Sequence, residues 1–584
     1  MDLDRYLELR AILQQWRTRL AESIRRRIEN GTRRLAHLQA IYDQEGADEA
    51  FTTWLDRWCR QAAIQFILRI LFLRVLEDRE LLGATRLRTT DGQQMWAQLT
   101  RNLGVANYVQ WCCWDAAHLL PDLFGPSDYD LVLPDDALVQ RFLNDVWRRP
   151  DPNREGWLRF DFRPGALTPA PSPDGRRGEA EGGDPGFQTR FIGDLYQELD
   201  AEIRKRYALL QTPHFISQFI LEHTLLKRFE EKDFRQVTLI DPTCGSGHFL
   251  VDAFWMFVER YEAEWDVKRE DVKREDVKRE ERATPPIQDG TRNTQHASRA
   301  ALSPAERAEI ARTIIERHLF GCDINPYATE LARFRLLLAA CDYARPTSLR
   351  DLRDLHFNLV TIDSLIPYER LSTSGLKAGT EVARILGNPK AIQQALPVLR
   401  KRYDVVVGNP PYITPNDSNK RALYSEIFKD IYTKGMHLSL LFVARVFQIA
   451  EEDSHIGFIV DNGFAVKRFG EKWVKRRLPH KNLLAVHDLS GLSIPGHGTA
   501  TLLIFLRNSP QTNPYVDFVY CKKGDGGRPD VQNSPLWHEL VASQGIAHFS
   551  GEFIERMPVP VQKFYRHPWP LDMQIDQVYS SLDK

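Results

Sequence analysis

The feature that most constrains the fold is a change of pattern at Gln236. From there on, short apolar runs rich in β-branched residues alternate with segments of helical spacing. The runs are QVTLID, HLFGCDI, FNLVTIDSL, YDVVVGNPPY, HIGFIVDNGF, LLAVHDLSG and TATLLIFLRN. Strands that alternate with helices predict a doubly wound α/β fold with a mostly parallel sheet. Because ligands of such sheets bind at the carboxyl ends of the strands, the candidate site is expected where these runs end.

The first 200 residues predict a mainly helical domain. Residues 64–82 carry apolar side chains at helical spacing, with charges gathered toward the end. An arginine-rich amphipathic stretch, WRTRLAESIRRRIENGTRRL, precedes them. It is either a solvated helix face, which we favour, or a face that contacts phosphates.

Two polar stretches interrupt the chain. Residues 164–187 are rich in Pro, Gly and charge, and predict a flexible linker or insertion. Residues 264–303 contain three tandem copies of DVKRE and a polar tail, and predict a solvated insertion with an extended charged helix and no catalytic role. We therefore expect a catalytic domain at residues 201–510. The short extension at 511–584 is a candidate start of a target-recognition region.

Composition narrows the class of protein only a little. The 78 basic and 79 acidic residues nearly cancel, which still allows a local DNA-binding face. The seven cysteines form no Cys-x-x-Cys pair, so we expect reduced thiols and no metal site. The start has no apolar signal region, and no run approaches the ~18 apolar residues of a membrane span. We expect a cytoplasmic protein with no membrane partner.

The ends of the first three predicted strands suggest an adenosine pocket. The first runs into DPTCGSGHFL, where Gly245 and Gly247 flank a tight turn that a ligand can approach closely. Asp323 ends the second strand and can accept both hydroxyls of a ribose. Asp363 ends the third and can accept from an adenine amino group, while the Ser364 N–H donates to the ring. Each Asp can equally cap a turn or a helix, but the series across three strand ends favours the pocket.

Thr212 precedes Pro213 at a predicted helix start. It is either a local helix cap or a contact for a carboxylate at the far end of the ligand. A ligand with adenosine at one end and an amino-acid carboxylate at the other is S-adenosylmethionine. The glycine turn lacks the Lys-Ser/Thr of a phosphate loop, which disfavours ATP.

The fourth strand ends in N-P-P-Y at residues 409–412. The Asn409 side-chain oxygen and the Pro410 carbonyl can each accept a hydrogen bond from an amino group. The rings of Pro410 and Pro411 hold these acceptors rigidly, and Tyr412 offers a flat face to a planar base. Two acceptors draw the amine nitrogen toward tetrahedral geometry, so its lone pair can point at a sulfonium methyl. A strand-ending turn is the alternative interpretation.

The order Thr-Pro, D-P-x-C-G-x-G, Asp, Asp-Ser-Leu, N-P-P-Y resembles the gamma-class N6-adenine DNA methyltransferases over about residues 205–510. This resemblance implies a seven-stranded S-adenosylmethionine-dependent methyltransferase sheet with its last strand antiparallel. It implies cofactor contacts from Thr212, Asp241, Pro242, Gly245, Gly247, Asp323, Asp363 and Ser364. It also implies that Asn409, Pro410 and Tyr412 hold a flipped adenine, with Phe464 as a second stacking face.

Two later segments, LSGLSIPGHGTATLLIFLRN and RHPWPLD, look like the large adenine methyltransferases of BREX-type phage-defence systems. The helical N-terminus resembles the leading segment of fused restriction–modification enzymes. Such relatives usually continue for several hundred residues into a target-recognition region, whereas here only residues 509–584 follow the last predicted strand. Two explanations stay open, a truncated chain or a specificity or defence-complex subunit that reads the DNA.

An adenine inside a duplex must be flipped to reach such a pocket, and flipping needs contacts to the DNA backbone. The stretch KRFGEKWVKRRLPHK at residues 467–481 is either a solvated helix face or a phosphate-binding face, and its position favours the second. The candidate contacts are Lys467, Arg468, Lys472, Lys475, Arg476 and Arg477.

The sequence thus predicts an adenine-specific methyltransferase that acts on double-stranded DNA in restriction–modification or phage defence. Two alternatives stay open. One is a methyltransferase that acts on a protein glutamine or on RNA, since the same two acceptors serve any planar amide or amine. The other is a non-catalytic DNA-binding subunit of a defence complex. A fused nuclease is disfavoured because residues 1–200 show no convincing Asp followed by Glu-x-Lys.

Overall fold

The structure is a computed structural model that describes residues 3–45, 49–101, 103–163, 192–193, 199, 212–283, 302–373, 389–415, 417–494, 499–527, 531–569 and 571. The expected linker at 164–187 lies outside the described residues. So do residues 284–301 of the expected insertion.

The N-terminal part consists of helices because its apolar residues recur at helical spacing. The helices are α1 (Leu3–Glu29), α2 (Thr32–Glu45), α3 (Phe51–Asp78), α4 (Asp91–Leu99), α5 (Val105–Ala117), α6 (Pro121–Phe124) and α7 (Asp136–Phe142). Within the arginine-rich stretch, Arg17 donates to the Leu199 carbonyl, and Arg27 to the Pro134 carbonyl at 2.8 Å. Arg25 pairs with Asp56. These arginines contact the chain itself, which favours a structural role for them.

The seven apolar runs after Gln236 all form strands. They are β1 (Leu239–Asp241), β2 (Leu319–Asp323), β3 (Asn358–Thr361), β4 (Tyr403–Gly408), β5 (Ala450–Asp461), β6 (Asn482–Asp488) and β7 (Thr501–Arg507). Three further strands follow, β8 (Tyr515–Cys521), β9 (Phe549–Ser550) and β10 (Ile554–Pro560). The sheet order is β3-β2-β1-β4-β5-β7-β6-β8-β10-β9.

The sheet has ten strands, so the expected number of seven was too low. From β3 to β5 all neighbours are parallel, whereas β7 lies between β5 and β6 and is antiparallel to both. β8 then adds parallel to β6, and β10 and β9 follow in antiparallel pairs. The extra strands belong to residues 511–584, where the alternation of strands and helices gave no signal.

Helices cover both faces of this sheet. They are α8 (His214–Leu221), α9 (Lys227–Glu231), α10 (His248–Ala283), α11 (Pro304–Thr313), α12 (Pro326–Ala344), α13 (Tyr368–Thr373), α14 (Pro389–Arg400), α15 (Ser418–Ile427), α16 (Leu438–Ile449), α17 (Gly463–Val466), α18 (Glu471–Arg476) and α19 (Pro535–Ala542). Val405 and Val407 of β4 belong to one buried apolar cluster, and Val406 between them to the other. A strand whose residues alternate between two cores must be apolar throughout, which explains the run VVV.

The three DVKRE copies lie within α10, which continues without a break to Ala283. Over the ranges that the structure describes, no helix is both long and apolar enough to cross a membrane.

The N-terminal helices pack directly on α12. The Phe72 ring stacks on Phe334 with a centroid distance of 3.9 Å, and Arg79 pairs with Asp342 at 2.6 Å. The helical region is therefore continuous with the core on one face of the sheet.

An arginine buried in α3 organises the end of that helix. Arg74 has no exposed surface and binds Glu77 at 3.0 Å and Asp78 at 2.8 Å. Glu77 accepts from the Leu87 N–H, and Asp78 accepts from the Phe162 N–H. Two buried carboxylates thus fix the chain that follows α3, and Arg74 compensates their charge.

Replacing Arg74 by Met should lower the free energy of unfolding by about 3–5 kcal/mol, because it removes the cation that buried Glu77 binds and leaves buried Asp78 with Arg88 alone. The matched control Arg33→Met removes an exposed arginine and should change this free energy by less than about 0.5 kcal/mol. Urea unfolding of the purified variants measures both. Equal midpoints for the two variants would contradict the assigned role of Arg74.

Candidate active site

The carboxyl ends of β1 to β4 meet around one cavity. Its volume is about 860 Å³, counted out to the solvent at its mouth. Parallel strands end on the same edge of a sheet, so residues far apart in sequence reach this cavity together. The predicted residues that line it are Thr212, Asp241, Pro242, Gly245, Asp323, Asp363, Ser364, Asn409 and Pro411.

The glycine turn after β1 adopts a backbone that favours glycine. Gly245 has φ +51° and Gly247 has φ +80°, both in the left-handed region. Gly245 donates its N–H to an Asp323 carboxylate oxygen at 3.0 Å. A Cβ on Gly247 would lie 2.9 Å from the Ala332 Cβ, so Gly247 sets the approach of α10 to α12. Gly247 lies on the side of the turn that packs against α12 and does not line the cavity.

Two carboxyl groups in the cavity wall have raised pKa values. Desolvation raises the pKa of Asp241 to about 7 and that of Asp323 to about 6. Asp241 accepts from the Thr243 N–H at 2.9 Å, and Asp323 accepts from the Asn325 N–H at 2.7 Å. These backbone donors partly offset the desolvation. Both groups thus titrate closer to neutral pH than an ordinary aspartate does.

The loop after β3 is held by several hydrogen bonds. One Asp363 oxygen accepts from the Leu365 N–H at 3.2 Å, and the other accepts from the Tyr424 hydroxyl. The Ser364 hydroxyl donates to the Pro242 carbonyl at 2.7 Å. Tyr424 also lines the cavity, and sequence reasoning missed it because it lies in α15, away from any strand end.

Apolar side chains line the cavity between these polar groups. Ile324, directly after Asp323, keeps 39% of its surface exposed. Its place directly after the strand-end acid is a signal that the sequence contains, whereas its exposure is not. Leu438 and Phe442 reach the cavity from α16, and no local pattern marked them. The wall therefore alternates hydrogen-bonding groups with surfaces suited to a flat ring.

Asn409 of N-P-P-Y has both ends of its side chain bonded. Its Nδ2 donates to the Thr212 hydroxyl at 3.1 Å, and its Oδ1 accepts from the Tyr412 hydroxyl at 2.7 Å. The Tyr412 hydroxyl also lies 3.3 Å from the Ile459 carbonyl oxygen. Burial and the nearby Asp461 charge raise the pKa of Tyr412, so its hydroxyl remains a donor. Pro410 is buried, and Pro411 lines the cavity.

The interpretation of Thr212 as a helix cap was wrong. The helix α8 begins at His214, and its N-cap position is Pro213, which has no side-chain cap. The buried Thr212 hydroxyl faces Asn409 instead.

The expected position of Phe464 was also wrong. Its side chain has no exposed surface and packs edge-on against Trp473 and Trp569, with centroids 5.6 and 5.1 Å away. The turn into α17 points the Phe464 side chain into the core, so it offers no face to a base.

The rings of His437 and Phe469 lie 4.7 Å apart. The Leu438 N–H donates to the Ile413 carbonyl at 2.9 Å, which puts His437 beside the chain that follows Tyr412.

The predicted basic residues are all exposed, but several bind the chain. Lys472 donates to the Tyr432 carbonyl at 3.0 Å, and Lys475 pairs with Glu471 at 2.7 Å. Arg476 and Arg477 bind the carbonyl and the carboxylate of Asp430. Lys467 and Arg468 are exposed just before α18, and Arg468 begins a short 3-10 helix, Arg468–Gly470. Part of the positive charge is therefore balanced within the chain.

Among the residues that the structure describes, no group of three or more His, Cys, Asp or Glu side chains is placed to hold a metal ion.

Comparison with known proteins finds that the chain is similar to methylases. Residues 317–494 match the family described as Eco57I restriction-modification methylase. The chain is 30% identical to the "Adenine-specific methyltransferase PglX" of Streptomyces coelicolor, over 92% of this chain and 43% of that protein. It is 23% identical to the "Type II restriction enzyme and methyltransferase RM.Eco57I" of Escherichia coli, over 52% of this chain and 28% of that one. The chain spans less than half the length of these curated relatives.

A solved structure shares the fold. The chain aligns with the structure described as a DrdV–DNA complex with a TM-score of 0.50 and 13% identity, over 88% of this chain and 43% of that one. The predicted resemblance to adenine-specific methyltransferases and to restriction–modification methylases is confirmed by the curated relatives.

A left-handed backbone costs a non-glycine residue about 1–2 kcal/mol. Gly247→Ala should lower the free energy of unfolding by more than this, because the added Cβ also meets Ala332. Gly83→Ala is the matched control, since Gly83 has φ +69° and open space around it. Thermal unfolding of the two variants compares backbone strain alone with strain plus contact. A loss for Gly247→Ala no larger than for Gly83→Ala would show that the packing against α12 is unimportant.

Proposed function

We propose, on the premise of this likeness to adenine-specific methyltransferases, that the chain transfers a methyl group from S-adenosylmethionine to the N6 amine of a flipped adenine in double-stranded DNA. The observation that carries the proposal is the shared cavity. Asp323 and Asp363, suited to an adenosine, line the same cavity as Asn409, suited to an amine. The order β3-β2-β1-β4-β5-β7-β6, with β7 antiparallel, also supports a methyltransferase sheet of seven strands that three more extend.

The residues of the cavity fit S-adenosylmethionine, which when bound supplies an electrophilic methyl group on sulfonium. Asp323 would accept from the ribose hydroxyls, and Asp363 from the adenine amino group. The adenine ring would lie against the apolar surfaces of Ile324 and Phe442. The turn at Gly245 leaves open space where a ligand can approach the backbone.

Asn409 and the Pro410 carbonyl would hold the target amine. Thr212 would act as a positioning residue, because its hydroxyl accepts from the Asn409 Nδ2–H and so fixes the side of the amide on which the acceptor Oδ1 lies. In this structure the Tyr412 hydroxyl occupies that acceptor. An incoming amine would therefore replace the hydroxyl on Oδ1, and the Tyr412 ring would then be available to stack on the base. Rate enhancement would come from this positioning, without a covalent enzyme intermediate.

DNA would be held by the exposed basic residues around α18. Lys467 and Arg468 are the strongest candidates for phosphate contacts, because four of the six predicted basic side chains bind neighbouring groups of the chain. We propose a helical domain at 1–200, a catalytic domain at 201–510 and an extension at 511–584 whose strands β8 to β10 add to the sheet of the catalytic domain. A specificity or defence-complex subunit would complete target recognition.

Incubation with labelled S-adenosylmethionine and duplex DNA, RNA or protein tests the proposal. We expect label on DNA, as N6-methyladenine. Asn409→Ala should lower the rate by about 10²–10³-fold, as expected for the loss of a positioned hydrogen-bonding group. The control Asn513→Ala removes an exposed loop amide that accepts from the Tyr515 N–H, away from the cavity lining, and should keep the rate. Label that appears only on RNA or protein, or an unchanged Asn409→Ala rate, would refute the proposal.

Binding should weaken in mild acid. The raised pKa of Asp323 means that it takes up a proton as the pH falls through about 6, and the carboxyl then loses an acceptor for the ribose. The affinity for S-adenosylhomocysteine should therefore be full above pH ~7 and fall about 3–10-fold by pH ~5. Calorimetric titration across this range measures it. Asp323→Asn should bind more weakly and lose the part of the pH dependence centred near pH 6, while Asp241, whose pKa is about 7, still titrates; a variant that keeps the full dependence would exclude Asp323 as a source.

A further inference from the structure

Tyr424 links α15 to the loop after β3, and residues of both segments line the cavity. It lies in α15, which follows N-P-P-Y, yet its hydroxyl donates to the carboxylate of Asp363 at the end of β3. Its side chain is 3% exposed and lines the cavity. Burial and the charge of Asp363 raise the pKa of Tyr424 well above its ordinary value, so the hydroxyl remains protonated at neutral pH.

The Asp363 carboxylate is held from two sides. Its Oδ1 accepts from the Leu365 N–H and its Oδ2 from Tyr424. The loop itself is fixed by the Ser364 hydroxyl on the Pro242 carbonyl and by Arg445, which donates to the Ser364 carbonyl at 3.2 Å. Since an ionised carboxylate has about four lone-pair sites, two acceptor sites remain, in directions set by these donors.

We propose that Tyr424 is a positioning residue that makes the cavity selective for a 6-aminopurine cofactor over a 6-oxopurine one. This inference rests on the proposed function, in which Asp363 accepts from the adenine amino group. With its orientation fixed, Asp363 meets the amino group of adenine with an acceptor. It meets the 6-oxo group of hypoxanthine with the same acceptor, and two acceptors repel.

Without the Tyr424 hydroxyl, the carboxylate can rotate or take up a water molecule. It then holds the amino group less well and tolerates the oxo group better. A purely structural tyrosine would affect both purines equally. The selectivity between the two ligands therefore separates a positioning role from a packing role.

Tyr403 provides a matched control. Its hydroxyl is also buried and donates to the Val398 carbonyl at 2.7 Å, and its ring belongs to the same apolar cluster as Tyr424. It is absent from the cavity lining. Tyr403→Phe therefore removes a buried tyrosine hydroxyl of the same core without touching Asp363.

The experiment measures the dissociation constants of S-adenosylhomocysteine and S-inosylhomocysteine for each protein by calorimetric titration. The ratio of the two constants is taken on one preparation, so the fraction of folded protein cancels. We expect wild type to prefer the adenosyl ligand, and Tyr424→Phe to reduce that preference about 5–10-fold, within the range of one typical intramolecular hydrogen bond. Tyr403→Phe should leave the preference unchanged.

Asp363→Asn tests the same contact from the other side. Its amide can donate to the oxo group, so the preference should drop further, and adding Tyr424→Phe to this variant should have no additional effect. This second variant also keeps the inference testable if Tyr424→Phe folds poorly.

The outcomes separate the inference from the proposed function. A wild type that discriminates, with a Tyr424→Phe variant that keeps the full preference or loses affinity for both ligands equally, overturns the inference alone. A wild type that binds neither ligand overturns the proposed cofactor, and the inference with it.

Discussion

The common direction of β1 to β4 is the constraint on which the whole site depends. Each strand is short, and the residues at the end of each line the cavity. Because the four strands are parallel neighbours, their carboxyl ends lie on one edge, and residues from Asp241 to Asn409 meet without any long connecting structure. An antiparallel strand among them would carry its end group to the opposite edge, so the antiparallel β7 lies outside this set.

Once these ends meet, desolvation decides their chemistry. The apolar walls that suit a flat ring also raise the pKa values of Asp241 and Asp323. Backbone N–H donors keep both groups bonded in the absence of a ligand. The site therefore holds its polar groups in a prearranged network, in which Asn409 is bonded at both ends to Thr212 and Tyr412. A ligand would exchange partners within that network and would not need to build it.

The helical N-terminal part supports the cavity indirectly, through α12. Phe72 and Arg79 bind α12, and the chain that enters α12 carries the N–H of Asn325 that holds Asp323. Through this chain of contacts the helices support the second strand end without lining the cavity. The buried Arg74 cluster serves the same region by fixing the chain that leaves α3.

The sequence by itself determined the elements and the chemistry of their ends. Seven apolar runs predicted seven strands, and the residues that follow four of them line one cavity. Such predictions succeed because strand periodicity and strand-end polarity are local properties of the chain.

Tertiary structure alone decided which side chains reach the cavity. Phe464 looked like a stacking face but is enclosed by Trp569, more than a hundred residues away. For Thr212 the sequence left a helix cap and a ligand contact open, and its hydroxyl accepts from Asn409. Tyr424 had no motif at all, and its contact with Asp363 exists only because α15 folds back over the loop after β3. Such contacts depend on packing between distant segments, which no local pattern encodes.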